Sequence, residues 1–139
     1  MKIININKDW EFEKEGVKSV VSLPHTWNGK DGQNGERGYF QGKCVYRKNL
    51  DKANGVCYIE FNGANSVTEV FINNNKVGTH KGGYSMFRFR IDGYLTQAKN
   101  LLEVFVDNTI VPEVFPTSAD FTFYGGIYRD VNLIYAENV

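Results

Sequence analysis

The feature that most constrains the fold of this chain is a period-two alternation of apolar and polar residues, which recurs without a sustained helical period. Clear examples are "YSMFRFRI" (84–91), "LLEVFVD" (101–107) and "IYRDVNLIY" (127–135). Successive side chains of a strand point to opposite faces, so each segment predicts a strand with one buried and one solvated face. Six or more such strands, separated by turn signals at regular intervals, predict an antiparallel β-sandwich or a barrel.

Two cysteines lie in neighbouring predicted strands, "GKCVYRKNL" (42–50) and "GVCYIEFNG" (55–63). If these strands form a hairpin about Ala53, Cys44 and Cys57 are too far apart for a disulfide bond. We therefore expect two reduced thiols. Their spacing, with two distant histidines, matches no common zinc-ligand pattern, and we predict neither a metal nor a cofactor in this chain.

Two turns have recognisable residues. "SVTEVFINNNKVGTH" (66–80) predicts a hairpin whose turn is Asn74-Asn75, because asparagine is the non-glycine residue that best tolerates a positive φ. "DGYLTQAKN" (92–100) predicts a single helical turn with Asp92 as its cap.

The overall charge and hydropathy exclude several classes of partner. Sixteen basic residues balance sixteen acidic ones, so there is no electrostatic reason to expect nucleic acid or an anionic membrane as a partner. No apolar run approaches the roughly 18 residues of a membrane helix. The start, "MKIININKDWEFEKEG", lacks the apolar region and the cleavage site of a secretory signal, which favours a cytoplasmic protein.

Two segments interrupt the alternation. The first, "LPHTWNGKDGQNGERGYFQG" (23–42), has glycines at 29, 32, 35 and 38, but it matches neither a collagen repeat nor a phosphate-binding loop. For positions 29–38 we favour an ordinary loop. The second runs from 108 to 126; connections of this length are usually functional or disordered, and its high aromatic content argues against disorder.

The side chains of both segments are suited to carbohydrate. Aromatic rings pack on the apolar faces of sugars, while carboxylates and amides hold the hydroxyls. Asp120 is flanked by Phe121 and Phe123, although a loop cap or a structural ion pair would also explain this aspartate. The first segment offers similar groups: His25, Trp27 and Asn28.

Other conspicuous residues have structural explanations. Gly125-Gly126 fits a tight turn with positive φ. Arg129 alternates in phase with Ile127 and Val131, so we expect a partly buried arginine paired with a carboxylate or a loop carbonyl. Trp10 is expected in the core or an interface. No Gly-x-Ser-x-Gly motif is present and no cysteine has an identifiable histidine partner, so we assign no catalytic residue.

Taken together, these motifs resemble a known family. "LPHTWN" (23–28), "YRKNL" (46–50), the stretch 61–91, "NLLEVFVDN" (100–108) and "DFTFYGGIYRDVNLI" (120–134) are similar to the sugar-binding domain of glycoside hydrolase family 2. This is the N-terminal jelly-roll domain of β-galactosidases and β-glucuronidases. The details resemble the β-galactosidase branch most.

The resemblance implies an all-β, antiparallel jelly-roll sandwich over 1–139, similar to galactose-binding domains. It implies a retaining β-glycosidase as the parent, with both catalytic glutamates on a (β/α)8 barrel behind an immunoglobulin-like module. A barrel needs about 250 residues, so the chain looks like a non-catalytic N-terminal fragment, inactive alone. The parent could be an oligomer.

The resemblance also implies a role for individual residues. An aspartate nine residues before the arginine of the Gly-Ile-aromatic-Arg motif binds sugar hydroxyls in the barrel's active site, and Asp120 and Arg129 have this spacing. Asn28 is the candidate for a second polar contact, with Asn34 behind it. The expected supporting residues are Arg129, Phe121, Tyr124 and Trp27.

Several functions stay open at this point. The parent could act on β-glucuronides in place of β-galactosides, because the aspartate occurs in both branches. A free-standing carbohydrate-binding module would show sugar affinity in this chain alone, whereas a fragment of an enzyme would bind very weakly. A purely structural domain would show no sugar effect and would carry a large exposed aromatic patch.

Overall fold

The computed structural model describes residues 2–25, 43–64, 66–82, 86–107, 126–127 and 129–136. These ranges contain ten strands and one 3₁₀ helix. The strands are β1 (Lys2–Asn5), β2 (Trp10–Lys14), β3 (Val17–Val21), β4 (Lys43–Asp51), β5 (Cys57–Phe61), β6 (Val67–Ile72), β7 (Asn75–Lys81), β8 (Phe87–Arg90), β9 (Lys99–Asp107) and β10 (Val131–Tyr135). The 3₁₀ helix, Asp92–Tyr94, lies between β8 and β9. None of the described ranges contains a helix that could cross a membrane.

The strands form two antiparallel sheets that pack face to face. One sheet has the order β1-β10-β5-β8 and the other the order β3-β2-β4-β9-β6-β7. Their inner faces enclose one continuous apolar core, which includes the fully buried Trp10, Tyr46, Ile59 and Val104. Burying each such side chain contributes about 1.5–3 kcal/mol. The predicted antiparallel jelly-roll sandwich is confirmed.

The predicted hairpin between the two cysteine-bearing strands is wrong. Strand β4 pairs with β2 and β9, whereas β5 pairs with β10 and β8, so residues 52–56 cross from one sheet to the other. The prediction that both segments are strands is confirmed, but alternation carries no information about which strands pair. The prediction of free thiols is confirmed: Cys44 and Cys57 are both buried and unbridged.

The predicted hairpin of β6 and β7 is confirmed, but its turn lies one residue earlier. Ile72 pairs with Asn75, and Asn73 and Asn74 take the positive φ angles of 50° and 67°. This placement is fixed by tertiary contacts of Asn73. Its Nδ2 donates to Asn100 Oδ1 at 2.8 Å, and its Oδ1 accepts from the Leu101 backbone N–H at 2.9 Å.

Asp92 does not cap the short helix as predicted. Ile91 occupies the cap position without a side-chain hydrogen bond. The Asp92 carboxylate instead accepts a hydrogen bond from the Cys57 backbone N–H at 3.1 Å and pairs with Arg90 at 2.9 Å. The contact with Arg90 lowers the pKa of Asp92.

Candidate functional site

The two irregular segments of the sequence share one base on the sandwich. Residues 26–42 lie between His25 and Lys43, and residues 108–125 lie between Asp107 and Gly126. Lys43 and Asp107 are direct partners across β4 and β9. The backbone N–H of His25 donates to the carbonyl of Ile127 at 2.8 Å. We call His25, Lys43, Asp107 and Ile127 the junction. These four residues flank the two segments and form two contacting pairs, Lys43 with Asp107 and His25 with Ile127.

A buried tyrosine links the two halves of the junction. Tyr46, in β4, is fully buried, and its hydroxyl lies 2.6 Å from Nδ1 of His25. His25 in turn bonds Ile127, since its backbone N–H donates to the Ile127 carbonyl. Phe12 packs against both rings, with centroids 4.6 Å from His25 and 4.9 Å from Tyr46. Tyr46 therefore contacts His25, and His25 is bonded to Ile127 at the base of the second segment.

The protonation states follow from burial. Burial raises the pKa of the Tyr46 phenol far above its ordinary value, so this group stays protonated and needs an acceptor. Burial lowers the pKa of His25, so the imidazole is neutral and one of its ring nitrogens is an acceptor. Nδ1 is the nitrogen within reach of the hydroxyl.

A second histidine lies at the same end of the sandwich. His80 in β7 is the cross-strand partner of Thr68 in β6, one position inside the pair formed by Val67 and Lys81. Its ring stacks on Phe87 with a centroid separation of 4.0 Å. His80 Nδ1 and Thr68 Oγ1 are both buried without a hydrogen-bond partner. Two buried polar atoms without hydrogen bonds reduce the stability of the fold at this position.

The described residues offer no catalytic constellation. Burial raises the pKa of the Cys44 thiol to about 12 and of the Cys57 thiol to about 11, so both stay protonated at neutral pH and are poor nucleophiles. Among the residues that the structure describes, no three His, Cys, Asp or Glu side chains group together as metal ligands would.

Most of the predicted site residues lie outside the described residues. These are Asp120, Asn28, Phe121, Tyr124 and Trp27, together with Asn34 and Gly125. His25 is described, and its imidazole is held by Tyr46 and Phe12. Gly126 is buried and has the expected positive φ, 134°.

The prediction of a partly buried Arg129 is wrong. Arg129 is exposed, because it lies in a bend before β10 begins at Val131. The inward–outward alternation that we extended from Val131 back to Ile127 applies only to regular strand geometry, and residue 129 lies outside it.

The match to a family model decides the family. The model described as "Glycosyl hydrolases family 2, sugar binding domain" matches residues 2–136. The chain belongs to this family.

Relatives of this family-2 domain carry two enzyme names. A β-glucuronidase from Bacteroides fragilis is 37% identical over 140 residues, and the match covers 94% of this chain and 20% of the relative. A β-galactosidase from Thermoanaerobacterium thermosulfurigenes is 36% identical over 154 residues, covering 95% of this chain and 21% of the relative. The crystal structure of a Bacteroides uniformis β-glucuronidase superposes with a TM-score of 0.85 at 33% identity, covering 95% of this chain and 17% of that one. The family-2 domain thus spans about a fifth of each of these proteins.

Sequence reasoning about this family-2 domain missed Tyr46. The residue is in phase with Cys44 on the inward face of its strand, and this pattern predicts burial. A buried phenol needs a hydrogen-bond partner. That requirement is the signal that could have linked Tyr46 to a polar group of the nearby loops, although it could not have identified which group.

Proposed function

We propose that this chain is the non-catalytic sugar-binding domain of a retaining β-glycosidase, and that the segments based on the junction contact the sugar. The observation that supports the proposal is the junction itself. The two segments that hold the candidate sugar contacts begin and end at paired positions on one end of a rigid sandwich. Loops placed on such a scaffold are the usual location of binding residues.

In this proposal Asp120 binds hydroxyls of the glycone, the sugar unit whose bond is broken, and the acids that break the bond belong to a barrel outside this chain. Asn28 supplies a second polar contact. Phe121, Tyr124 and Trp27 provide apolar surface, and Arg129 supports the Asp120 segment. A carboxylate held by a separate domain orients the substrate by binding hydroxyls that are remote from the reacting bond.

We expect Asp120→Ala in the full-length enzyme to lower kcat/KM by about 2–4 kcal/mol of transition-state stabilisation, the range for a lost charged contact. Steady-state kinetics on the purified enzyme measures the effect. The matched control is Asp51→Ala, at the opposite end of β4, where the carboxylate is exposed and pairs with the exposed Lys99. Unchanged turnover in a folded Asp120→Ala enzyme would remove the assignment.

For the glycone we propose a β-galactoside, on the details of the sequence resemblance. The names of the relatives support a β-glucuronide as the second candidate. Comparing kcat/KM of the full-length enzyme on nitrophenyl β-galactoside and nitrophenyl β-glucuronide decides between them. The cytoplasmic location stays a prediction.

Sugar titration of the 139-residue chain separates this function from that of a free-standing binding module. We expect very weak binding of galactose or lactose, because the rest of the glycone site belongs to another domain. Calorimetry that gives a dissociation constant below about 1 mM, a typical affinity threshold of about −4 kcal/mol, would favour the independent module.

A further inference from the structure

We propose that His25 and Tyr46 are a positioning pair that fixes the relative placement of the junction residues from which the two segments extend, with the proton of the His25 ring on Nε2. The inference goes beyond the proposed function by assigning a task to two residues that do not themselves touch sugar. It rests on that function in one respect, namely that the segments contact the substrate.

The direction of the hydrogen bond between Tyr46 and His25 is determined by the chemistry of the two groups. The hydroxyl of the fully buried Tyr46 needs an acceptor for its proton, and His25 Nδ1 is the acceptor within reach among the described residues. The hydroxyl proton of Tyr46 is then directed to His25 Nδ1, 2.6 Å away. Nδ1 must therefore be unprotonated, and the ring proton belongs on Nε2.

The environment of His25 stabilises this neutral form. Among the described residues, the rings packed against it are those of Phe12 and Tyr46, and neither bears a charge at neutral pH. Burial lowers its pKa. The hydrogen bond therefore lies in an apolar layer, where its loss leaves a buried polar group without a partner.

The backbone contact alone does not fix the geometry of the junction. The bond from His25 N–H to Ile127 C=O holds one residue of each segment base, but a single bond leaves rotation about it free. The hydrogen bond between Tyr46 and the His25 ring adds a second contact, and Tyr46 belongs to β4, the strand that starts at the other half of the junction. Two hydrogen bonds, one to the backbone and one to the ring of His25, define an orientation as well as a distance.

Three variants separate the hydrogen bond from the packing. Tyr46→Phe keeps the ring and removes the hydroxyl, and His25→Phe keeps a ring and removes the acceptor. His25→Asn places its Oδ1 near the position of Nδ1 and can still accept from Tyr46. Tyr58→Phe, on the outer face of β5, is the matched control for loss of a tyrosine hydroxyl.

The first test is nitrogen NMR of the 139-residue chain. We expect a pyridine-like Nδ1 and a pyrrole-like Nε2 at His25, and a slowly exchanging hydroxyl proton at Tyr46. We also expect the His25 amide proton, which donates to the Ile127 carbonyl, to exchange at least tenfold faster in Tyr46→Phe than in the parent, and at the parent rate in Tyr58→Phe, for loss of about one hydrogen bond. A pyrrole-like Nδ1 would overturn the proposal, whatever the chain does with sugar.

The second test uses kinetics of the full-length enzyme. We expect Tyr46→Phe and His25→Phe to lower kcat/KM on the order of tenfold, the consequence of a misplaced substrate contact. His25→Asn should recover most of this loss, and Tyr58→Phe should lose none. If Asp120→Ala lowers kcat/KM but both phenylalanine variants are fully active, the positioning pair is wrong while the proposed function stands. If Asp120→Ala has no effect, the proposed function fails and the NMR result still decides the tautomer and the contact.

Discussion

At the scale of single residues, the buried polar atoms of the core differ in whether they have hydrogen-bond partners. Asn100 is fully buried and has partners for its whole amide, because its Nδ2 donates to the carbonyls of Leu50 and Gln97 and its Oδ1 accepts from Asn73 and Gln97. Thr68 is equally buried, but its hydroxyl has no partner. Such a group destabilises the folded state, since it was hydrogen bonded to water in the unfolded chain.

Replacing the unpaired hydroxyl with a methyl group should therefore stabilise the protein. We expect Thr68→Val to raise the free energy of unfolding by about 1 kcal/mol, since the volume is kept and the desolvation cost is removed. Urea denaturation measures the change, with Thr79→Val in β7 as the exposed control. A loss of stability would mean that a buried water binds Thr68 and His80 Nδ1 and compensates the two groups.

A close approach between the two sheets requires glycine at position 78. A Cβ at this position would lie 2.5 Å from Cε1 of Phe89, a separation that requires the ring or the strand to move. We expect Gly78→Ala to destabilise the protein by about 1–3 kcal/mol through overpacking. Thermal unfolding should show no comparable loss for Gly93→Ala, where nothing lies within 4 Å of the added Cβ. Equal stability of the two variants would contradict the packing of β7 against β8.

At the scale of strands, one arginine joins three members of the larger sheet. Arg47 of β4 contacts Glu11 and Glu13 of β2 at 3.1 and 2.7 Å, and Glu103 of β9 at 2.9 Å. These contacts hold its pKa above the ordinary value, and the hydrogen bond from Arg47 lowers the pKa of Glu13. The outer face of the sheet would carry three neighbouring carboxylates without this cation.

We expect Arg47→Met to lower the free energy of unfolding by about 1–2 kcal/mol at pH 7 and low salt, because it leaves the carboxylates to repel one another. A group whose folded pKa is lowered contributes stability above its unfolded pKa and loses it as the pH falls. The deficit should therefore shrink below about pH 4.5, the ordinary value for Glu13. Denaturant titrations at both pH values test this expectation.

The control for this network is Lys99→Met, which removes a single exposed pair with Asp51. It should cost less than about 0.5 kcal/mol at either pH. A deficit of Arg47→Met that is the same at pH 7 and pH 3.5 would exclude carboxylate repulsion as its cause.

At the scale of the whole molecule, stability near neutral pH depends on two histidines. His25 and His80 are the only histidines of the sequence, and burial lowers the pKa of each below 6.5. The unfolded chain then binds more protons than the folded chain, so stability falls as the pH decreases below about 6.5. The carboxylates with lowered pKa values act below pH 4.5, outside this window.

We expect the free energy of unfolding to decrease steadily from pH 7 to pH 5, as measured by urea titration. His80→Phe should flatten this slope, because it removes one of the two proton-binding groups and keeps the stack on Phe87. If the variant shows the same slope, the pH dependence comes from His25 alone. If stability does not change with pH in the parent, the lowered pKa values of both histidines are contradicted.

The sequence predicted which face of a strand is buried better than it predicted which strands pair with each other. Alternation identified the inward residues of β9 and β8 correctly because a strand's period is a local property. It could not reveal that β4 and β5 belong to different sheets, because pairing depends on the whole topology. It also failed at Arg129 and at Asp92, where a bend and a tertiary hydrogen bond override local preference.

For the candidate site, the sequence predicted the types of residue that would bind sugar, but not how they are arranged in space. The chemistry of carboxylates and aromatic rings indicated two segments of the chain, and the fold brings the ends of both to one place. Alternation predicts that Tyr46 is buried, but it does not distinguish this tyrosine from any other core residue. Its importance depends on a contact between positions 25 and 46, which no local pattern encodes.

The paired anchoring of these segments has an evolutionary consequence. Closing a longer loop between fixed ends costs only about 0.6 kcal/mol per doubling of its length. Insertions and exchanges within 26–42 or 108–125 would therefore leave the sandwich nearly as stable as before, since their four anchors are already held together. If the two segments contact the sugar as proposed, one scaffold can serve hydrolases that differ in the sugar they accept, because new specificity would arise by exchange of the segments between the anchors.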